Sequence, residues 1–382
     1  MEPIYQCCYT NATQSAWDKV TSGWQATIVS PDIPQDAYET CVKLQNANAS
    51  LCASAVDEQG NVLNLQEIVG DGSYLYVIHT QFGLTDRLGR PNLFSHAVIF
   101  PLRNNRDVLW NPNFYLALHP SAFLTGGERF TWEKVPIYNE PSLSLEEAMR
   151  RAGLDRERYA TLVKCIYAQS SGSKGAKPLY IEYDGTARQL RGLLTCIYEG
   201  IPWYMRRSLR IASYPTANDG SKDLVFSRNA RTKGSYLIPQ TGENDILTTR
   251  VERKIQRYGF IDYAARELPL EDFPAHFERL ERIAIGLGDM SASNNQILKL
   301  AFYFWTRDVS AYTNEELESN LSDALRLPPA DNQLLENFLI RMLTEADRRG
   351  LHPTDESRTL LDAWMSTTKS EELKAAGRKY KQ

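Results

Sequence analysis

The chain has little cysteine for its length, and this excludes one class of protein at once. Six cysteines among 382 residues stand at irregular spacings, which does not fit the dense disulfide framework of small secreted domains. The first residues, Met1-Glu-Pro-Ile4, lack the basic and apolar regions of a signal peptide. Both observations lead us to expect a cytoplasmic protein.

Long apolar runs and surplus positive charge are also missing. The apolar runs 74–78 and 297–305 are far shorter than the roughly 20 residues that a membrane-spanning helix needs, so no membrane span is expected. With 43 basic and 47 acidic residues the formal net charge is −4, which leaves no excess of positive charge to drive binding to a phosphate backbone. We therefore do not expect nucleic acid to be the main ligand.

The familiar motifs of nucleotide, metal and nucleophile sites are missing as well. The run Ser171–Gly175 has the composition of a phosphate loop, but it follows a predicted helix and precedes a predicted strand, the reverse of the order that aims backbone donors at a phosphate. No cysteine or histidine spacing matches a known metal site, and no Gly-x-Ser-x-Gly motif occurs. We therefore expect no cofactor, no metal and no nucleotide hydrolysis by the chain alone.

What the sequence does contain predicts a folded, multidomain protein. Apolar residues make up 42% and charged residues 24%, as in globular domains, and the length favours two or three domains. Short strand signals over 1–140 predict a β-rich N-terminal domain with a mixed sheet, and helix and strand signals over 141–265 predict an α/β middle domain. Only helix signals remain over 266–382, which predicts an all-helical C-terminal domain. The expected fold class is α+β.

Several helix boundaries can be read from capping residues. Ser144-Leu-Glu-Glu147 and Thr313-Asn-Glu-Glu316 are capping boxes, in which a hydroxyl and a carboxylate satisfy backbone N–H groups at the start of a helix. Gly153 and Gly350 are placed to end helices. The run 297–305 is apolar nearly all round, so it predicts the buried central helix of the C-terminal domain.

Two histidines fall on two strongly predicted strands, 73–82 and 93–101, which flank a ten-residue loop, 83–92. If these strands form a hairpin centred on the loop, His79 and His96 come nearly opposite each other. Their neighbours on the same faces are apolar. The two side chains are therefore either buried core histidines or a catalytic or ligand-binding pair.

Two adjacent cysteines, Cys7 and Cys8, lie on the first predicted strand. Strand alternation turns one of them away from the core. An enzyme whose site uses His79, His96 and the nearby arginines, with Cys7 or Cys8 as nucleophile, is therefore an alternative function. It requires these side chains to converge on one pocket within hydrogen-bond reach.

The loop between the histidine strands carries charged and amide side chains that could recognise another molecule. Its two arginines could grip a carboxylate or phosphate in bidentate fashion, or they could form a local ion pair with Asp86 that holds the shape of the loop. Long ordered loops are disproportionately functional. The candidate binding residues are those of the loop and its flanking strands: Asp86, Arg87, Arg90, Asn92, His96 and His79.

At this loop the sequence resembles a known family. The run Phe82–Phe100 is similar to a stretch in the N-terminal domain of the GTPase-associated proteins of bacterial conflict systems, in which an Asp, a Gly-Arg, an Asn, an aromatic residue and a His-Ala pair follow one another between two strands. In this chain those positions are Asp86, Gly89-Arg90, Asn92, Phe94 and His96-Ala97. The stretches Ile4–Thr10, Gly23–Ala26 and Ile201–Tyr214 extend the likeness over about the first two thirds of the chain. Pro91 departs from the small residue expected there.

The resemblance implies a function in which the chain does no chemistry of its own. The implied role is a non-catalytic adaptor or sensor that partners a GTPase or other NTPase switch in a bacterial anti-phage or conflict system, and that recognises or relays an invader signal. A third alternative is a structural subunit of a multi-protein assembly that docks through the helical C-terminal domain. The sequence leaves the oligomeric state open.

Overall fold

The architecture comes from a computed structural model of the full chain. It describes residues 4–12, 23–52, 64–86, 88–103, 108, 111–116, 141–170, 177–214, 219–247, 261–262, 266, 268–288, 295–328 and 332–382. The described chain divides into two compact units, unit 1 over 1–251 and unit 2 over 252–382. Helices and one large mixed sheet give an α+β fold, as predicted.

Unit 1 contains the sheet and the helices that cover it. Its described strands are β1 (Tyr5–Ala12), β2 (Gly23–Val29), β3 (Asn64–Gly70), β4 (Tyr74–Thr85), β5 (Pro91–Pro101), β6 (Leu179–Glu182), β7 (Arg210–Ala212), β8 (Leu224–Ser227), β9 (Tyr236–Ile238) and β10 (Glu243–Asn244). Its described helices are α1 (Gln35–Ala47), α2 (Asn113–Leu116), α3 (Leu145–Ala152), α4 (Arg156–Ser170), α5 (Ala187–Glu199) and α6 (Trp203–Arg206).

The sheet has an antiparallel half and a largely parallel half. The strand order among the described residues is β10-β9-β6-β8-β7-β3-β4-β5-β1-β2. Strands β2, β1, β5, β4 and β3 pair antiparallel, whereas β7, β8, β6 and β9 pair parallel. The two halves meet where β3 pairs with β7, through Glu67 opposite Ala212 and Ile68 opposite Ile211.

The pairing of β3 with β7 joins residues that were assigned to two different predicted domains. The predicted boundary at residue 140 falls within unit 1, because backbone hydrogen bonds between β3 and β7 continue one sheet across it. Side chains cross the boundary too. Lys222, just before β8, forms a buried ion pair with Glu67 on β3. The same carboxylate also accepts a hydrogen bond from within the N-terminal part, where Asn48 Nδ2 donates to Glu67 Oε2 over 2.7 Å. The two compact units divide between residues 251 and 252, and the three domains 1–140, 141–265 and 266–382 stay a prediction.

Helix α1 covers one face of the antiparallel half. Its buried side chains, Tyr38 and Cys41 among them, pack against Cys7, Ile78 and Ile99 of β1, β4 and β5. The alternation of strand side chains sends the histidines to the opposite face. That face is also buried, since Leu75, Val77, Val98 and Phe100 are almost inaccessible.

Unit 2 is helical throughout its described part. Its helices are α7 (Phe273–Leu287), α8 (Asn295–Thr306), α9 (Asn314–Leu325), α10 (Gln333–Arg348), α11 (Asp355–Thr367) and α12 (Glu371–Lys381). Helix α8 is buried over most of 297–303, as expected for a central helix. Its one buried charge, Lys299, donates to Asp323 Oδ2 of α9 over 2.8 Å. A charge at this position is tolerated because it is paired. Within the described ranges no helix is both long and apolar enough to cross a membrane.

Candidate functional site

The candidate site residues lie on the hairpin of β4 and β5. The predicted ten-residue loop is shorter than expected, because β4 continues to Thr85 and β5 already begins at Pro91. A register shift between Gln81 and Leu84 accommodates an irregular segment, where Gly83 has a φ of +76°. A β-bulge of this kind is what a glycine permits inside a strand. The connection itself is therefore residues 86–90.

His79 and His96 are directly opposite each other in this hairpin, as predicted. His96 is also opposite Cys8 of β1, and His79 is opposite Gln66 of β3. Cross-strand partners share a face of the sheet. One row of polar side chains therefore crosses four strands, from Cys8 to Gln66.

Both imidazoles are enclosed by the protein. His79 is 9% exposed and His96 1% exposed. The Nε2–H of His96 donates to Oε1 of Gln6 over 2.9 Å. Burial lowers the pKa of His79 to about 4, and burial together with the neighbouring His79 lowers the pKa of His96 to about 4. Each imidazole is therefore neutral at pH 7. A general base works best when its pKa is close to the working pH, so a pKa of about 4 makes each histidine a poor general base at pH 7.

The cysteines of β1 lie on opposite faces, as alternation requires, yet both are buried. The pKa of the Cys8 thiol is raised well above its usual value, first by burial and then by the adjacent Cys7. A cysteine nucleophile needs the opposite, a lowered pKa and access for the substrate. The enzyme alternative requires a Cys8 thiol that loses its proton easily and a His96 that accepts it. The raised pKa of Cys8 and the lowered pKa of His96 both oppose this proton transfer.

The turn at the end of the hairpin is built around Asp86. Its Oδ1 accepts hydrogen bonds from the backbone N–H of Leu88 (2.8 Å) and of Arg90 (3.0 Å), and its Oδ2 accepts one from Arg90 Nε (2.7 Å). The backbone N–H of Asp86 donates to the carbonyl oxygen of Arg90. The Arg90 hydrogen bond is the main reason that the pKa of Asp86 is lowered. Of the two roles considered for Arg90, gripping a ligand or pairing with Asp86, the structure shows the ion pair with Asp86.

The turn exposes an apolar side chain that the sequence analysis missed. Leu88 is 76% exposed, and the side chain of Arg90 beside it is 62% exposed. We define the hairpin tip as Asp86 together with residues 88–90. In the sequence this side chain is a single leucine within a polar turn, and an analysis of hydrophobic periodicity does not detect one isolated apolar residue.

Asn92 supports the base of the tip and does not face solvent. Its Oδ1 accepts from Thr10 Oγ1 and from the backbone N–H of Asn11, each over 3.2 Å, and its Nδ2 donates to the carbonyl oxygen of Asn11 (3.3 Å). The side chain is buried. Asn92 therefore fastens β5 to the end of β1, a structural role.

The predicted site residues do not converge. Asp86 follows His79 by seven residues along β4, which at the rise of a strand places the tip roughly 20 Å from the histidine pair. Arg87 lies outside the described residues. Within the described ranges, no three His, Cys, Asp or Glu side chains are grouped so that they could hold a metal ion.

Unit 2 bears on the third alternative, a structural subunit. In its described part, Ile285 on α7 is the large apolar side chain that stands exposed, at 50%. A docking surface of an obligate assembly is expected to show a contiguous apolar patch. One isoleucine does not make such a patch.

Comparison with known proteins adds no family assignment: neither the protein-family models nor the curated protein sequences give a match to this chain. The resemblance to the GTPase-associated proteins accordingly rests on the residues quoted above.

Proposed function

We propose that this protein is a non-catalytic adaptor or sensor that binds a GTPase or other NTPase switch protein in a bacterial anti-phage or conflict system. The resemblance supplies the class of partner. The observation that carries the binding role is the hairpin tip, in which a hydrogen-bonded turn holds Leu88 and Arg90 in solvent. A rigid turn loses little conformational entropy on binding, so such a feature suits recognition of a second protein.

The dispersal of the other polar residues supports the same proposal. His79 and His96 are buried and neutral at pH 7, while Asp86 and Asn92 are engaged in holding the hairpin. An active site needs reacting groups within hydrogen-bond reach of one another and of a substrate. The described residues favour a binding surface over such a site.

A cytoplasmic location is part of the proposal. The cysteines are free thiols, and five of the six are buried. Free thiols persist in a reducing compartment, which is also where GTPase and ATPase switches find their nucleotides.

The test is purification of the tagged full chain from its native host, without added nucleotide and with GDP, GTP or ATP analogues. We expect one NTPase to co-purify in near-stoichiometric amount and its yield to depend on the nucleotide, because a switch protein presents different surfaces in its nucleotide states. An unrelated protein of similar net charge, carrying the same tag and purified from the same host, is the control for non-specific binding. Recovery of the chain alone in every nucleotide state would remove the proposal.

A further inference from the structure

We draw no further inference here: the strongest candidate, the edge of the sheet at the carboxyl ends of the parallel strands β6 and β8, where the guanidinium of Arg228 lies against Gly185 just before helix α5, rests on a helix N-terminus with no second observation among the described residues that points to a ligand, and Arg228 already has a partner within the chain.

Discussion

Glu67 and Lys222 form an ion pair where the antiparallel and parallel halves of the sheet meet, and their side chains are 2% and 3% exposed. Lys222→Met should destabilise unit 1 by about 3–5 kcal/mol, because it leaves the Glu67 carboxylate buried without a countercharge. The hydrogen bond from Asn48 does not replace that charge. Denaturant unfolding of the full chain, followed by tryptophan fluorescence and circular dichroism, measures the loss.

The control for this prediction is the double variant Glu67→Leu with Lys222→Met. It removes both charges and should recover most of the stability, since a buried pair replaced by apolar side chains is often neutral or better. A loss below about 1 kcal/mol in Lys222→Met alone would mean that the pair is not enclosed in solution.

The paired histidines predict a loss of stability in acid. Their pKa values fall from an ordinary 6.5 to about 4 in the folded protein, so the unfolded chain binds protons first as the pH drops. Stability is therefore full above about pH 6.5 and decreases between pH 6.5 and 4, by up to about 3 kcal/mol for each histidine.

His79→Gln and His96→Gln test this acid dependence separately. Each variant is expected to flatten the fall in the free energy of unfolding between pH 6.5 and 4, whatever it does to stability at pH 7. His352→Gln, at an exposed position, is the matched control and should leave the slope unchanged. An unaltered slope in both buried variants would show that the imidazoles titrate freely in the folded state.

The hairpin was predictable from the sequence because local rules determine it. Alternating apolar residues on two strands around a turn fix the register, and that register places His79 opposite His96. The helix boundaries followed for the same reason: Thr313 caps α9, Ser144 caps α3, and Gly153 ends it with a φ of +71°. These signals are short-range and require no knowledge of the rest of the fold.

The joining of β3 to β7 could not be found in this way. It pairs residues more than 140 positions apart, and nothing local to Glu67 or Lys222 announces that the two charges meet. The sequence pattern changes from mostly strand signals to mixed helix and strand signals near residue 140, and this is why a domain boundary was predicted there. The tip was partly predictable: the Arg90–Asp86 pair was one of two alternatives, whereas the exposure of Leu88 depends on a turn geometry that single residues do not encode.

The cap of α9 gives a prediction for unit 2. Thr313 Oγ1 accepts from the N–H of Glu316 over 3.1 Å, and Glu316 Oε2 accepts from the N–H of Thr313 over 2.8 Å. Thr313→Ala should cost about 1 kcal/mol of stability, because it leaves a backbone donor at the helix start unsatisfied. Thr313→Ser, which keeps the hydroxyl, is the control and should cost a few tenths at most. Equal losses in the two variants would point to the lost methyl group instead of the cap.

The last prediction tests whether the Asp86 carboxylate holds the hairpin tip in one conformation. Asp86→Ala removes the acceptor for the N–H groups of Leu88 and Arg90 and the partner of the guanidinium, so the turn should become mobile while the sheet remains folded. Amide hydrogen exchange at residues 88–90 is expected to accelerate at least about tenfold, with little change at Val77 or Val98 in the same two strands. Asp86→Asn keeps one acceptor oxygen and loses the ion pair, and should give an intermediate rate. Were the alanine variant to exchange like wild type, the turn would be held by its backbone alone, and the presentation of Leu88 could not be attributed to the carboxylate.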